Sequence, residues 1–139
     1  MNTQPIQNYM SRSPLTIEEN CTLSEAIKKM QQIHIHHLPV EHQGRLTGVL
    51  SDRDIKLALS VHPNANELAV GDIMTDNPYT VSPNCPLQQV VLEMAQNRFG
   101  CALVENEQGR VVGIFTSLDA LALMAEWLRK KALDASHSL

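Results

Sequence analysis

The feature that most constrains the fold is an internal repeat, because the second half of the chain follows the first half motif by motif. Residues 48–55 read GVLSDRDI and residues 113–120 read GIFTSLDA. Each copy carries a glycine, two apolar residues, a hydroxyl residue and an aspartate three positions after the hydroxyl. Upstream, Met10-Ser11 is matched by Met74-Thr75. This duplication predicts two similar units related by approximate twofold symmetry, so a pocket built by one unit should have a counterpart in the other.

Each unit reads as strand, helix, strand, strand and helix, with the first unit at residues 1–62 and the second at residues 63–139. Apolar residues at helical spacing predict the helices, and short apolar runs between turn residues predict the strands. The predicted strands are 15–17, 38–40, 46–50, 80–81, 101–104 and 111–115, and the predicted helices are 23–33, 52–59, 87–94 and 118–132. Residues after 134 are expected to form a frayed tail.

The composition excludes several classes of protein. The 139 residues carry a formal net charge of −4, which disfavours nucleic acid as a partner because nucleic-acid-binding surfaces are usually basic. No apolar run approaches the roughly 20 residues that a membrane-spanning helix needs. The polar start, Met1-Asn2-Thr3-Gln4-Pro5, lacks the apolar stretch of a signal peptide. Three cysteines without a C-x-x-C pair indicate a reducing, cytoplasmic environment.

Taken together, the repeated motifs resemble those of a CBS-domain pair, also called the Bateman module. The resemblance covers about residues 5–130 and depends on the order and separation of the motifs. The motifs are the openings Asn8-Tyr9-Met10-Ser11 and Asp72-Ile73-Met74-Thr75, the segment His37-Leu38-Pro39-Val40, and the two Gly-apolar-x-Ser/Thr-x-x-Asp stretches. The resemblance implies an α/β (α+β) fold of tandem β-α-β-β-α units with pseudo-twofold symmetry, their sheets packed face to face and a cleft between them. It also implies non-catalytic regulation by adenosyl ligands and frequent dimerisation into a flat disc.

The repeated Ser/Thr-x-x-Asp motif is the best candidate for ligand contact. A carboxylate accepts hydrogen bonds at both oxygens and can hold the two hydroxyls of a ribose, which predicts this role for Asp54 and Asp119. The hydroxyls of Ser51 and Thr116, with backbone N–H groups at a helix start, can receive a phosphate. The same spacing is also a plain helix-capping motif that needs no ligand. The second copy and the resemblance to CBS domains favour ligand binding.

Basic side chains near these motifs are candidates for contact with phosphate. Arg53 can form a two-pronged contact with a phosphate, or it can pair with Asp52 at the surface. The second unit has Leu118 at this position, so the two pockets are not expected to be equivalent. The resemblance implies that His36 or His37 crosses the cleft toward the pocket of the second unit, where binding would be pH-sensitive. Partly exposed histidines at a strand start are the alternative.

The resemblance further implies that strand residues form the walls around the base. The candidates in one pocket are Thr16, Ile17, Leu38 and Pro39, and those in the other are Thr80, Val81, Cys101, Ala102 and Leu103. Pro39 lacks an N–H group and leaves an irregular spot in its strand, where a ligand can take the place of a neighbour. The alternative is that all of these are core residues.

The leading hypothesis is a stand-alone regulatory module that binds an adenosyl ligand in the cleft and signals to an effector protein by a conformational change. AMP is the first candidate, followed by ATP, ADP, S-adenosylmethionine and NAD. A homodimer is expected, without catalytic residues, cofactor, metal or membrane association.

Two alternatives come from other functional classes. The first is a structural or dimerisation module with a degenerate, non-binding pocket, in which the last helix, including Trp127, makes the contact. The second is a metal- or redox-responsive protein that uses Cys21 with His34, His36 and His37, where His34 and His36 share one face of a strand.

Overall fold

A computed structural model describes residues 4–137, with side chains through residue 136, and shows two β-sheets flanked by helices. The strands are β1 (Ser11–Arg12), β2 (Ile17–Glu18), β3 (His37–His42), β4 (Arg45–Ser51), β5 (Thr75–Asp76), β6 (Thr80–Val81), β7 (Cys101–Glu105) and β8 (Val111–Thr116). The helices are α1 (Leu23–Ile33), α2 (Asp52–Val61), α3 (Val70–Ile73), α4 (Leu87–Asn97) and α5 (Ser117–His137). This arrangement confirms the predicted α+β fold.

The two sheets exchange their edge strands. One sheet has the order β2-β3-β4-β5 and the other has the order β1-β8-β7-β6. In each sheet the first pair of the repeat is parallel, β2 with β3 or β6 with β7, and the remaining pairs are antiparallel. Strand β1 therefore comes from the start of the chain but completes the sheet of the second half, and β5 does the reverse.

The exchanged strands explain why both copies of the repeat contain a methionine and a glycine. Met10 precedes β1 and lies against Gly113 on β8, while Met74 precedes β5 and lies against Gly48 on β4. A Cβ atom added at either glycine would overlap the sulfur atom of its methionine. The glycine is needed in each copy because the methionine side chain that precedes each edge strand packs directly on it.

Each half has its own apolar core, and each core takes residues from the other half of the chain. The core of the first half joins α1, β3 and α2 with Ala65 and Val70, while the second joins α4, β7 and Phe115 with Ile6. Backbone hydrogen bonds hold these segments, since the N–H of Ile6 donates to Cys85 at 2.7 Å and that of Val70 donates to Cys21 at 2.8 Å. The segment around Ile6 thus belongs to the second core, and the segment after residue 64 belongs to the first.

A third apolar cluster lies between the two sheets and confirms that they pack face to face. Val49 of β4 packs there with Cys101 and Leu103 of β7 and with Ile114 of β8. The N–H group of Leu46 also donates to the carbonyl of Gly109 in the other unit, at 3.4 Å. The sheets are therefore joined through their faces as well as through their edges.

Two local expectations were wrong. The last helix does not end near residue 132, and residues 135–137 do not form the expected frayed tail, because α5 continues to His137, while residues 138–139 lie outside the described residues. Residues 129–133 are Arg, Lys, Lys, Ala and Leu, all strong helix formers, and they favour this continuation. His34 is not on a strand, because it ends α1 in the left-handed conformation with a φ of 54°. His34 and His36 therefore do not share a strand face.

Replacing Ile6 by alanine should destabilise the protein although the residue lies outside the repeated motifs. Ile6 is fully buried in the second core, so we expect Ile6→Ala to lower the free energy of unfolding by roughly 2–5 kcal/mol, as other buried isoleucines do. Leu57→Ala is the control, because this side chain on α2 is 64% exposed. Urea denaturation measures both, and a loss for Ile6→Ala no larger than that for Leu57→Ala would contradict the packing of the exchanged segment.

Candidate functional site

The two Ser/Thr-x-x-Asp motifs both cap a helix. Ser51 caps α2, accepting from the N–H of Asp54 at 3.2 Å while the Asp54 carboxylate accepts from the N–H of Ser51 at 3.0 Å. At the start of α5, Thr116 accepts from the N–H of Asp119 at 3.1 Å, and Asp119 Oδ2 accepts from the N–H of Thr116 at 2.8 Å. The capping interpretation of the motif is therefore correct for both copies. A ligand can use only the hydrogen-bonding capacity that each carboxylate retains after capping its helix.

The two aspartates differ in how many carboxylate oxygens remain available to accept a further hydrogen bond. The carboxylate of Asp54 also accepts hydrogen bonds from the hydroxyl of Ser51 at 3.0 Å and from the hydroxyl of Thr75 on β5, at 3.1 Å to Oδ1 and 3.3 Å to Oδ2. Ser11 is the repeat counterpart of Thr75, but it makes no such bond to Asp119. Within residues 4–137, Asp119 Oδ1 accepts no hydrogen bond. Asp119 thus keeps one carboxylate oxygen available, whereas both oxygens of Asp54 are engaged.

Asp119 lines a cleft of about 520 Å³ between the two units. The first half supplies Ser11, Pro14, Leu15 and residues 33–37, and the second half supplies Ile114 and residues 116–119. Most of the surface of this cleft is apolar, although only six of its thirteen lining side chains are, and the polar groups are Ser11, the three histidines and the start of α5. An apolar cleft with a few convergent polar groups is the usual form of a small-molecule site.

The structure brings His36 and His37 to the same cleft as Thr116 and Asp119, as the resemblance implied. His36 is held on its own unit, since its Nδ1 is paired with the carboxylate of Asp52. His37 leans toward the second unit, and a Cβ atom added at Gly100 would lie 2.7 Å from its Nε2. The placement fits the prediction, while a role of either histidine in ligand binding stays a prediction.

Burial shifts the pKa of two predicted site residues. Desolvation lowers the pKa of His37 below its usual value, although Asp52 and Asp54 act in the opposite direction. Burial between the sheets raises the pKa of the Cys101 thiol to about 12. His37 therefore favours its neutral form, and Cys101 stays protonated, as expected for a core residue and not for a nucleophile.

Most of the predicted wall residues lie in the protein core and do not line this cleft. Ile17, Leu38, Pro39, Ala102 and Leu103 are almost fully buried. The half-buried residues Thr16, Thr80 and Val81 are at or beside β2 and β6, and they too lie outside its lining. The core interpretation of the buried strand residues fits their placement. A ligand that contacts these strands would therefore have to bind outside the Asp119 cleft.

Arg53 is exposed on α2, and the alternative in which it pairs with Asp52 is not found, because Asp52 is paired with His36. Within the part of the chain that the structure describes, Arg53 forms no ion pair. Together with Ser51 and Asp54, it lies outside the lining of the Asp119 cleft. A contact between Arg53 and phosphate stays a prediction for the first unit.

Several residues of the cleft were missed from the sequence. Pro14 and Leu15 immediately precede the predicted Thr16, and Ser11 belongs to the repeated Met-Ser/Thr pair. The repeat therefore singled out Ser11, but it did not indicate that Ser11 lines the cleft. Ile33 was missed because it lies at the end of α1 and, although apolar, is 47% exposed.

The described residues contain neither a metal-type cluster nor a membrane-type helix. No three His, Cys, Asp or Glu side chains among residues 4–136 are arranged in a way that could hold a metal ion, and Cys21 packs against the first core. None of the helices in the described range combines the length and the apolar content that crossing a bilayer requires.

A second cavity, of about 710 Å³, lies on the outer surface between α4 and α5. Leu92 of α4 and Met124 and Trp127 of α5 line it, and each is more than half exposed. Val91 also lines this cavity, and Leu121 continues the apolar surface beside it. We call these five residues the α4/α5 face. The corresponding groove between α1 and α2 is more polar, with charged or titratable side chains from His34, His36, Asp52 and Lys56.

Comparison with known proteins gives one consistent result. The CBS domain profile matches residues 6–61 and 70–126. A CBS domain-containing protein of Dictyostelium discoideum is 32% identical over 134 residues, which cover 88% of this chain and 92% of that protein. L-aspartate semialdehyde sulfurtransferase of Methanocaldococcus jannaschii is 32% identical over 115 residues, covering 82% of this chain but only 22% of that enzyme.

A solved structure also resembles the protein closely. The CBS domain pair of protein MJ0100, in complex with 5′-methylthioadenosine and S-adenosyl-L-methionine, matches with a TM-score of 0.80 and 29% sequence identity. The match covers 89% of this chain and 98% of that one.

The burial of His37 should make folding stability depend on pH. Because its folded-state pKa is lowered, the unfolded chain binds this proton more readily, so the contribution is fully present above about pH 6.5 and is lost as pH falls through the folded value. We expect His37→Gln to lose less stability between pH 7.5 and pH 5.5 than the unchanged protein, as measured by urea denaturation. His62→Gln controls for the loss of a histidine elsewhere. An identical loss in His37→Gln and the unchanged protein would contradict the prediction.

Proposed function

This chain belongs to the CBS domain family, and from that premise we propose that it is a non-catalytic regulatory module that binds an adenosyl ligand in the cleft lined by Asp119. The observation that carries the proposal is the available oxygen of Asp119 at the edge of an apolar cleft of about 520 Å³. A carboxylate in this position can accept hydrogen bonds from the hydroxyls of a ribose. The apolar walls are suited to the faces of a base.

The structural neighbour crystallised with 5′-methylthioadenosine and S-adenosyl-L-methionine supports an adenosyl ligand, because both of those compounds contain adenosine. The candidates are AMP, ADP, ATP, S-adenosylmethionine, NAD and 5′-methylthioadenosine itself. They share the adenosine moiety that Asp119 and the apolar walls would recognise.

We propose that one pocket of the pair is competent in this state of the protein. The carboxylate of Asp54 already accepts the hydroxyl protons of Ser51 and Thr75, which are the kind of donor that a ribose would offer. A ligand at Asp54 would have to displace Thr75 from its bond. A ligand at Asp119 has no such competitor among residues 4–137.

A ligand in the cleft would contact both units, since the lining comes from the segment around Pro14 and the α1–β3 connection on one side and from the start of α5 on the other. Such a ligand shifts the protein toward whichever relative arrangement of the units it binds more tightly. We propose that an effector protein recognises this arrangement. Binding energy is then converted into a change of shape, and the ligand leaves the cleft chemically unaltered.

The two aspartates should respond differently to replacement by alanine. We expect Asp119→Ala to weaken adenosyl-ligand binding at least tenfold, because charge-assisted hydrogen bonds are worth about 1.5–3 kcal/mol. Asp54→Ala is the matched control. It should leave binding within about twofold and instead lower the free energy of unfolding by about 0.5–2 kcal/mol through loss of the α2 cap. Titration calorimetry with 5′-methylthioadenosine, S-adenosylmethionine, AMP, ADP, ATP and NAD provides the measurement.

Two results would contradict the proposal. If none of these compounds bound at sub-millimolar concentration, the motif would be structural in both copies. If Asp54→Ala abolished binding while Asp119→Ala did not, the competent pocket would be that of the first unit. Thermal unfolding of both variants checks that each is folded under the conditions of the titration.

We also propose that the protein forms a homodimer through the α4/α5 face. This face exposes large apolar side chains next to one another, which is uncommon on a protein surface without a partner. The groove between α1 and α2 carries more charged and titratable side chains, so it is less suited to a dry contact between copies. The α4/α5 face is the observation that also favours the alternative of an interaction module.

A charge placed on the α4/α5 face should therefore weaken self-association. Met124 is 57% exposed and lines the cavity between α4 and α5, so Met124→Glu should raise the dimer dissociation constant by about tenfold or more. Leu57→Glu, at a similarly exposed apolar position on α2, should leave it unchanged. Sedimentation equilibrium compares the two variants. A monomeric unchanged protein, or equal effects of both substitutions, would argue against this interface.

A further inference from the structure

We propose that the Asp119 cleft selects adenosyl compounds whose 5′ substituent carries no negative charge, and that Leu118 is the residue that sets this preference. The inference rests on the proposed function, because it assumes that Asp119 holds an adenosyl ligand. Its starting point is charge. None of the described residues that line the cleft is a lysine or an arginine, while Asp119 contributes a carboxylate.

The start of α5 offers few donors to an anion, because three of its backbone N–H groups are already used. The N–H of Thr116 donates to Asp119 Oδ2, that of Ser117 donates to the carbonyl of Gly100 at 2.9 Å, and that of Asp119 donates to Thr116 Oγ1. A helix start binds phosphate through free N–H groups and its positive dipole. Here the carboxylate of Asp119 already occupies that favourable position, and it would repel a second negative group nearby.

The repeat shows which side chain is missing. In the first unit, Arg53 follows two positions after the capping Ser51, and its guanidinium is free to reach a phosphate. In the second unit the same position is Leu118, which lines the cleft and is 66% exposed. An apolar side chain here favours an uncharged group in the cleft and provides no counter-charge for a phosphate.

The histidines of the cleft do not replace this arginine. His36 is fixed to Asp52, so its charge, when present, is already compensated. His37 packs against Gly100, and burial lowers its pKa, which favours the neutral ring. His34 is exposed at the end of α1 and is the remaining titratable group of the lining besides Asp119. Together, these groups leave a phosphate with one exposed histidine as its only basic neighbour in the lining.

The test uses a series of ligands that differ only in the number of phosphates. Titration calorimetry of the full chain with adenosine, AMP and ATP at pH 8, above the usual titration range of histidine, measures the effect of each added charge. We expect AMP to bind no more tightly than adenosine, and ATP to bind about tenfold or more weakly than adenosine. Affinity that rises from adenosine to ATP would overturn the inference and leave the proposed function intact. Absence of binding by all three would overturn both.

A substitution at Leu118 identifies the residue responsible. Leu118→Arg places in the second unit the side chain that the first unit has, and it should raise the affinity for ATP relative to that for adenosine by about tenfold. Leu118→Gln is the matched control, since it is polar and uncharged, and it should leave the ratio of these two affinities within about twofold. The exposure of Leu118 makes both variants compatible with folding. Equal changes for Arg and Gln, or no gain for ATP, would remove Leu118 as the determinant.

Discussion

The exchange of edge strands between the two sheets is the constraint on which the rest of the structure depends. Neither half completes its own sheet, because β1 pairs with β8 and β5 pairs with β4. The exchanged segments also bring Ile6 and Val70 into the core of the opposite half. The two units are therefore joined by both exchanged strands and by the cluster around Val49. These contacts fix the geometry of the cleft between them.

The exchange also makes the two pockets unequal. Thr75 reaches Asp54 because β5 lies beside β4, and its hydroxyl fills the position of a ligand donor. Ser11 has the same place in the other sheet, beside Ile114, but leaves Asp119 available. Two copies of one motif thus have different chemical capacities, and the difference comes from the residue that the exchanged strand supplies, Thr75 in one sheet and Ser11 in the other.

The sequence predicted the fold well because its signals are local and occur twice. Helical spacing, turn residues and the Ser/Thr-x-x-Asp caps each act within a few residues, so the main helices, the longer strands and both caps were predictable. The short elements β1, α3 and β5 were not predicted, because the two edge strands form by pairing with strands of the other unit or of a preceding segment. The site was predicted only in part. Whether Asp54 or Asp119 is available depends on Thr75 and Ser11, which are distant in sequence, and the exposure of Ile33 and Leu118 depends on how α1 and α5 pack.

The last helix connects the cleft to the outside of the molecule. Asp119 lies in the first turn of α5, which continues for 21 residues, past the end of the family match at residue 126. At a rise of 1.5 Å per residue the helix is about 30 Å long. A tilt of about 5° at its first turn would move its far end by roughly 2.5 Å over that length. A tilt that barely moves the Asp119 carboxylate therefore moves the far end of α5 by more than the length of a covalent bond.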